Sequence, residues 1–207
     1  MRRSKYGYLL LALLVITGLA GTVTSTSITA KDRKFAANSL KETKSEVLKS
    51  VSGLSRAELN FKTSRDRSSI KQCACRIGAA EKNMWQLLEL SMKQPANPEK
   101  RLEIKMTDAE LIKMMEDRST KLPSPEILEP KKTPYKTVEE ALESFKAERA
   151  DHIKYIKNTT EDLRNHLTRL SFGWVDCYQL CLLMSAHSNR LMQQIEEIKT
   201  HSKFPAR

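Results

Sequence analysis

The 207-residue sequence predicts an all-α protein, an up-and-down four-helix bundle with a long proline-rich crossover. Three observations carry that reading. Four long segments space their apolar residues on a 3.6-residue period, no stretch of useful length alternates with the period of a strand, and Pro123, Pro125, Pro130 and Pro134 crowd one short run between the second and third long segments.

The first segment, Ala30 to Val51, sets Ala36, Leu40, Val47, Leu48 and Val51 on one face, and Gly53 ends it. Phe61 to Arg67 is a basic, polar connection. Ser68 or Ser69 then caps a second helix reaching about Lys93, with Ile70, Cys73, Ile77, Met84 and Leu88 facing inward. Pro95 and Pro98 break the chain before a shorter helix at Asp108 to Arg118, opened by Thr107 and Glu110 in capping-box spacing. The proline run that follows is an extended crossover on the bundle surface, not a second domain. Thr137 and Glu140 open the third long helix, whose apolar face holds Val138, Ala141, Leu142, Phe145, His152, Ile153 and Ile156. A short helical turn is expected around Glu161 to Leu167. Gly173 separates it from the last helix, about Val175 to Thr200, with Leu180, Leu183, Met184, His187, Leu191, Ile195 and Ile198 on its buried stripe.

Ahead of the bundle, the basic residues Arg2, Arg3 and Lys5 precede an apolar run from Tyr8 to Gly21, and the polar stretch Thr22 to Ser27 follows. This is the layout of a secretory signal, and the run falls short of the ~20 apolar residues that span a bilayer comfortably. Residues 1–27 are therefore read as a signal peptide, or as a signal anchor in the inner membrane, since no Ala-x-Ala cleavage pattern is present. The bundle domain covers 30–203. On this reading the protein is exported, periplasmic or extracellular. The formal net charge is +11, and removing residues 1–27 takes away three basic residues and no acid. What remains is a basic exterior suited to anionic surfaces. No zinc-finger spacing, aromatic RNA-recognition motif or long Lys/Arg block is present, so specific nucleic-acid binding is not expected. Membrane contact is expected only through an uncleaved N-terminal segment.

Four words in fixed order carry a resemblance. They are Gly53-Leu-Ser-Arg-Ala-Glu-Leu-Asn-Phe61-Lys62, Arg67-Ser-Ser-Ile70-Lys-Gln-Cys73, Asp162-Leu-Arg-Asn-His166, and Tyr178-Gln-Leu180 together with His187 through Lys199. In order and spacing they resemble the DinB-like superfamily, also known as YfiT-like metal-dependent hydrolases, and especially its exported or anchored bacterial members. The match runs from about residue 30 to the end. The resemblance implies an up-and-down bundle holding a divalent metal such as zinc, nickel or iron on three histidines, one from the second long helix and two from the last. It also implies thiol-transfer, isomerase or hydrolase chemistry in which the metal activates a thiol or water, and a tendency to form homodimers.

The resemblance places those ligands at positions 76, 187 and 191, which read Arg76, His187 and Leu191. A guanidinium has no lone pair to offer and leucine no donor atom, so one imidazole stands where about three protein ligands are needed. The sequence therefore reads as a diverged bundle without a cofactor, binding a small molecule or an envelope component. The alternative is a metal-dependent hydrolase or thiol S-transferase with a rearranged Cys/His site. Cleft candidates are Arg76, Glu81, Trp85, His166 and Arg190. Arg76 either faces His187 as an anion site or pairs with Glu81, and Glu81 is otherwise an exposed carboxylate. Trp85 is a cleft wall or a core anchor, and His166 lines the cleft mouth or lies on the surface. Cys73 and Cys75 form C-x-C, and Cys177 and Cys181 form C-x-x-x-C, neither of them the C-x-x-C of common structural zinc sites. The four are reduced packing residues, disulfides stapling the second and last long helices, or replacement metal ligands.

Overall fold

The computed structural model describes residues 28–119 and 133–205. The signal segment 1–27 and most of the proline-rich crossover lie outside the described residues. The elements are α1 (Ala30–Val51), α2 (Arg56–Asn60), α3 (Ile70–Met92), a 3-10 segment (Pro98–Glu103), α4 (Asp108–Glu116), α5 (Val138–Asn158), β1 (Leu167–Leu170), β2 (Gly173–Asp176) and α6 (Cys177–Lys199). Among the described residues, no helix is long and apolar enough to cross a membrane.

Helix starts are fixed by side-chain caps that satisfy the free N–H groups of the first turn. Reciprocal capping boxes join Thr29 to Asp32, Ser55 to Glu58, Ser69 to Gln72, Thr107 to Glu110 and Asp176 to Gln179. At α5 only half of the anticipated box forms. Thr137 accepts from the Glu140 N–H, while the Glu140 carboxylate takes the N–H of Lys136 instead.

α1, α3, α5 and α6 form the four-helix bundle. Around the square, α1 neighbours α5 and α6, and α3 neighbours the same two, so α1 and α3 sit on a diagonal. Contacts between ends give the directions. Tyr178 near the start of α6 donates to Asp32 O near the start of α1, and Arg33 in α1 reaches Thr159 O at the end of α5. The Cys177 thiol at the start of α6 lies 4.0 Å from Leu88 O near the end of α3, and Cys75 near the start of α3 lies 3.7 Å from Thr137 O at the start of α5. The chain alternates direction from α1 to α3 and from α5 to α6. The crossover between them returns it to the end where α3 began, so α3 and α5 run parallel. Its helix α4 packs along the outside of α6, anchored by Asp108 on Arg164 at one end and by Arg118 on Glu197 beyond the other.

Three parts differ from the sequence expectation, the first being the parallel α3 and α5, which the long crossover permits and which an up-and-down order would alternate. The stretch read as a helical turn enters an antiparallel hairpin, with Leu167 opposite Asp176 and Leu170 opposite Gly173 across the two-residue loop Ser171-Phe172. Its strands are four residues each, too short for a period-2 pattern to declare itself, and Gly173 takes φ 136, a conformation that favours glycine. The connection before α3 contains the short α2, whose Ser55–Glu58 box was hidden behind the helix-ending Gly53.

The long-helix stripes are buried as read, except that Leu48, Leu142 and Ile153 are only half-buried. At Gly78, α3 and α5 approach closely. A Cβ there would lie 2.8 Å from Ala141 O and 3.0 Å from the Tyr135 ring.

Candidate functional site

The apolar stripe of α5 is interrupted by Arg149, one turn after Phe145 and one before His152. It is fully buried, and the five N–H groups of its guanidinium reach six acceptor atoms on the other three bundle helices, one N–H being shared. From α1 it takes Leu40 O and the Thr43 hydroxyl. From α6 it takes Met184 O and the Ser188 hydroxyl. From α3 it grips the Glu81 carboxylate with both arms, at 2.7 and 2.5 Å. Buried charge is tolerated only with this completeness of pairing.

Glu81 also meets His152 Nδ1 at 2.6 Å. Burial by itself would raise the Glu81 carboxyl, but the Arg149 guanidinium and the His152 hydrogen bond outweigh it and hold the group at about 2. Trp85, one turn along α3, stacks on the His152 ring with centroids 3.9 Å apart, and Tyr155 stands at 87° to the indole. Two sequence expectations change here. Glu81 is not an exposed carboxylate, and its guanidinium partner is Arg149, not Arg76. The half-buried Trp85 belongs to a cleft between α3 and α5, lined also by Glu89, Glu148 and Asp151, with a volume of about 420 Å³.

His187 lies in the interior, 3% exposed, and its Nε2 has no hydrogen-bond partner among the described residues. Burial is the main reason its pKa falls from the ordinary 6.5 to about 3, and the positive charges of Arg76, Arg190 and Arg149 push the same way. The imidazole is therefore neutral at physiological pH. Leu191, one turn on, is buried in the apolar cluster with Ile195 and Ile198. The residues at the three positions do not fit a divalent metal: a single imidazole faces guanidinium charge, and no group of three His, Cys, Asp or Glu among the described residues is disposed to hold an ion.

Apart from the charge of Arg190, the remaining candidates do not converge on His187. His166 is half-buried at the far end of the bundle, where its Nδ1 lies 3.1 Å from Ser91 O at the end of α3. Arg190 ties α6 to the end of α4 through Met115 O and Asp117 O. All four cysteines are buried and free. The staple between α3 and α6 is absent because antiparallel packing sends Cys73 and Cys75 to one end of the bundle and Cys177 and Cys181 to the other. Burial pushes the Cys73 and Cys177 thiols up to about 12 and raises Cys75 and Cys181 as well, so none is a ready thiolate at neutral pH. A wider groove of about 740 Å³ between α1 and α4, walled by Phe35, Ile112 and Tyr178, holds none of the candidate residues.

Arg149 and His152 carry much of this polar centre. His152 is read from the sequence only as a member of the apolar face, and Arg149 goes unremarked. The signal for Arg149 was its position: a charged residue on the stripe of Phe145, His152 and Ile156 must be buried and therefore paired.

Comparison with known proteins gives two matches. A family model described as the DinB superfamily matches residues 39–195. Among solved structures, YfiT from Bacillus subtilis, described as a probable metal-dependent hydrolase with an unusual four-helix bundle topology, aligns with a TM-score of 0.58 at 11% identity, covering 84% of this chain and 89% of its own. At that identity the likeness establishes the fold alone. A search of curated proteins found no match.

Proposed function

Because the chain belongs to the DinB superfamily, we propose that it is an exported bundle of that superfamily which binds a small molecule or an envelope partner without three-histidine metal chemistry. The observation that carries this reading is the charge around His187. Where the family resemblance calls for imidazoles, Arg76 brings a permanent positive charge, with Arg190 and Arg149 adding to it. A divalent cation entering here would meet like charge in a poorly screened interior, while gaining one nitrogen ligand. Hydrolysis or thiol transfer of the family type needs a metal-activated water or thiol. The rearranged Cys/His alternative gains no support, since the two cysteine pairs lie at opposite ends of the bundle.

Elemental analysis of the mature protein, purified without a chelating tag and then dialysed against zinc or nickel, tests the reading. Metal well below one equivalent is expected. One bound equivalent that vanishes in His187→Ala would overturn it. Export is tested by fractionating cells that express the full chain. Recovery from the cell envelope is expected, and a wholly cytoplasmic pool would remove that part of the reading.

A further inference from the structure

We propose that the trench between α1 and α4 docks an amphipathic helix of a partner protein, apolar on the face it buries and basic along its flank. This rests on the binding role proposed above and gives the partner a place and a chemistry.

The trench follows from where α4 lies. α1 and α4 each pack along α6 and scarcely touch one another, so the strip of α6 between them is left as a floor. Tyr178, Leu182 and Ala186 line that floor at intervals of four residues, one face of a helix. The groove of about 740 Å³ described above is continued by a second space of about 280 Å³, and Phe35 and Ile112 wall both. On α1 the lining runs from Lys31 to Glu46, about 22 Å or four turns at 1.5 Å per residue. Phe35 is 50% exposed, so its ring leaves aromatic area in water that an occupant would cover.

The walls and floor are helical, and a helix pairs its own backbone N–H and C=O groups except in its end turns. An extended peptide laid here would find no strand edge to join, so the occupant must bring its backbone hydrogen bonds already made. A helix does so, and its apolar face can pack on Phe35, Ile112 and Leu182 as a further member of the bundle.

Charge fixes the rest of the occupant's chemistry. On a chain of net charge +11, carboxylates outnumber lysines along the trench. In the wider part Arg164 pairs with Asp108, and Lys31 and Lys113 stand among the acids, which brings the charge close to balance. The narrower part is lined by Glu42, Glu46 and Glu116 with no lysine or arginine. Glu42 and Glu46 make no hydrogen bond or ion pair among the described residues, and Glu116 accepts from the uncharged Asn189 amide. Like charges four apart on a helix repel. Basic side chains beside the occupant's apolar face relieve that repulsion and set which way the helix lies.

The test titrates the mature protein into a fluorescein-labelled peptide of about fifteen residues, leucine and lysine patterned as an amphipathic helix, and into its counterpart with glutamate in place of lysine. Fluorescence anisotropy is the readout. One-to-one, saturable binding of the Leu/Lys peptide is expected, at least about tenfold tighter than the Leu/Glu peptide. Phe35→Ser, and separately Glu42→Lys with Glu46→Lys, should each weaken the Leu/Lys peptide by about tenfold with an unchanged circular dichroism spectrum. Glu139→Lys with Glu143→Lys makes the same charge change on exposed positions of α5 and should leave affinity unchanged. No saturation, no preference between the peptides, full affinity in Phe35→Ser, or equal loss in the two charge variants would overturn the proposal. So would a dimer in sedimentation velocity that Phe35→Ser dissolves, since the trench would then belong to a second copy. Metal analysis reads the functional proposal separately. A metal-loaded protein that still binds the Leu/Lys peptide would sink that reading and leave this one standing, and a metal-free protein indifferent to the peptide would do the reverse.

Discussion

His187→Leu should flatten the acid limb of the stability curve. The imidazole titrates at about 3 in the folded chain against an ordinary 6.5, so between those values the unfolded chain binds a proton that the folded chain refuses. Stability is then complete above pH 6.5 and is lost as pH falls toward 3. One proton gives a slope of at most about 1.4 kcal/mol per pH unit, so the loss from pH 7.5 to pH 5 is roughly 2 kcal/mol. That is a large share of the ~5–15 kcal/mol typical of a domain. Glu81 does not interfere, because its depressed pKa acts in the window below 4.5. Urea unfolding followed by circular dichroism at pH 7.5, 6 and 5 measures the difference between the native chain and the variant. The variant should lose about 2 kcal/mol less across that range. At pH 7.5 it should be at least as stable, since the unbonded Nε2 carries an uncompensated desolvation cost of about 1–3 kcal/mol. Parallel pH curves for the two proteins would refute the buried, neutral histidine and the charge argument built on it.

Arg149→Met leaves Glu81 buried without its main partner and should cost about 3–5 kcal/mol in urea unfolding, whereas the Glu81→Leu, Arg149→Met double variant should recover most of the loss. A double variant as unstable as the sum of the singles would contradict the pairing. Gly78→Ala should cost about 1–3 kcal/mol, because the new methyl meets a backbone carbonyl that cannot rotate away. Thermal melts with no change would place α3 and α5 further apart. Ellman's reagent without reductant should find four thiols in denaturant and almost none rapidly in the native protein. Fewer than four in denaturant would restore a disulfide.

The helices were legible because each signal was local. Ser69, Thr107 and Thr137 marked their starts, and stripes such as Leu180 to Ile198 marked their buried faces. What escaped was non-local. The pairing of Glu81 with Arg149 joins residues 68 apart, and no spacing rule favours it over the nearby Arg76. The cysteine arrangement depended on helix direction: α3 and α6 are neighbours, but they run antiparallel, so similar positions near their starts fall at opposite ends. The β1–β2 hairpin escaped because four-residue strands carry too little pattern.

The words that carry the family resemblance now have physical roles, and those roles are architectural. Ser55-x-x-Glu58 and Ser69-x-x-Gln72 are capping boxes. Arg164 in the Asp162–His166 word bridges Asp108 of α4 and Asp176, the cap of α6, beneath the Tyr178 ring, and the Tyr178 hydroxyl fastens α6 to α1. The residues that hold the scaffold are thus separate from Arg76 and Leu191, the positions where the resemblance places ligands. The interior also has a cross-link of its own in Arg149. A metal on three histidines of the kind the family resemblance implies joins two helices, whereas the Arg149 guanidinium joins its own helix to the other three through six acceptor atoms. If that pairing is what organises the centre, EDTA should leave the thermal midpoint unchanged while Arg149→Met lowers it by several degrees. A midpoint that falls on chelation would show that a metal contributes to the fold after all.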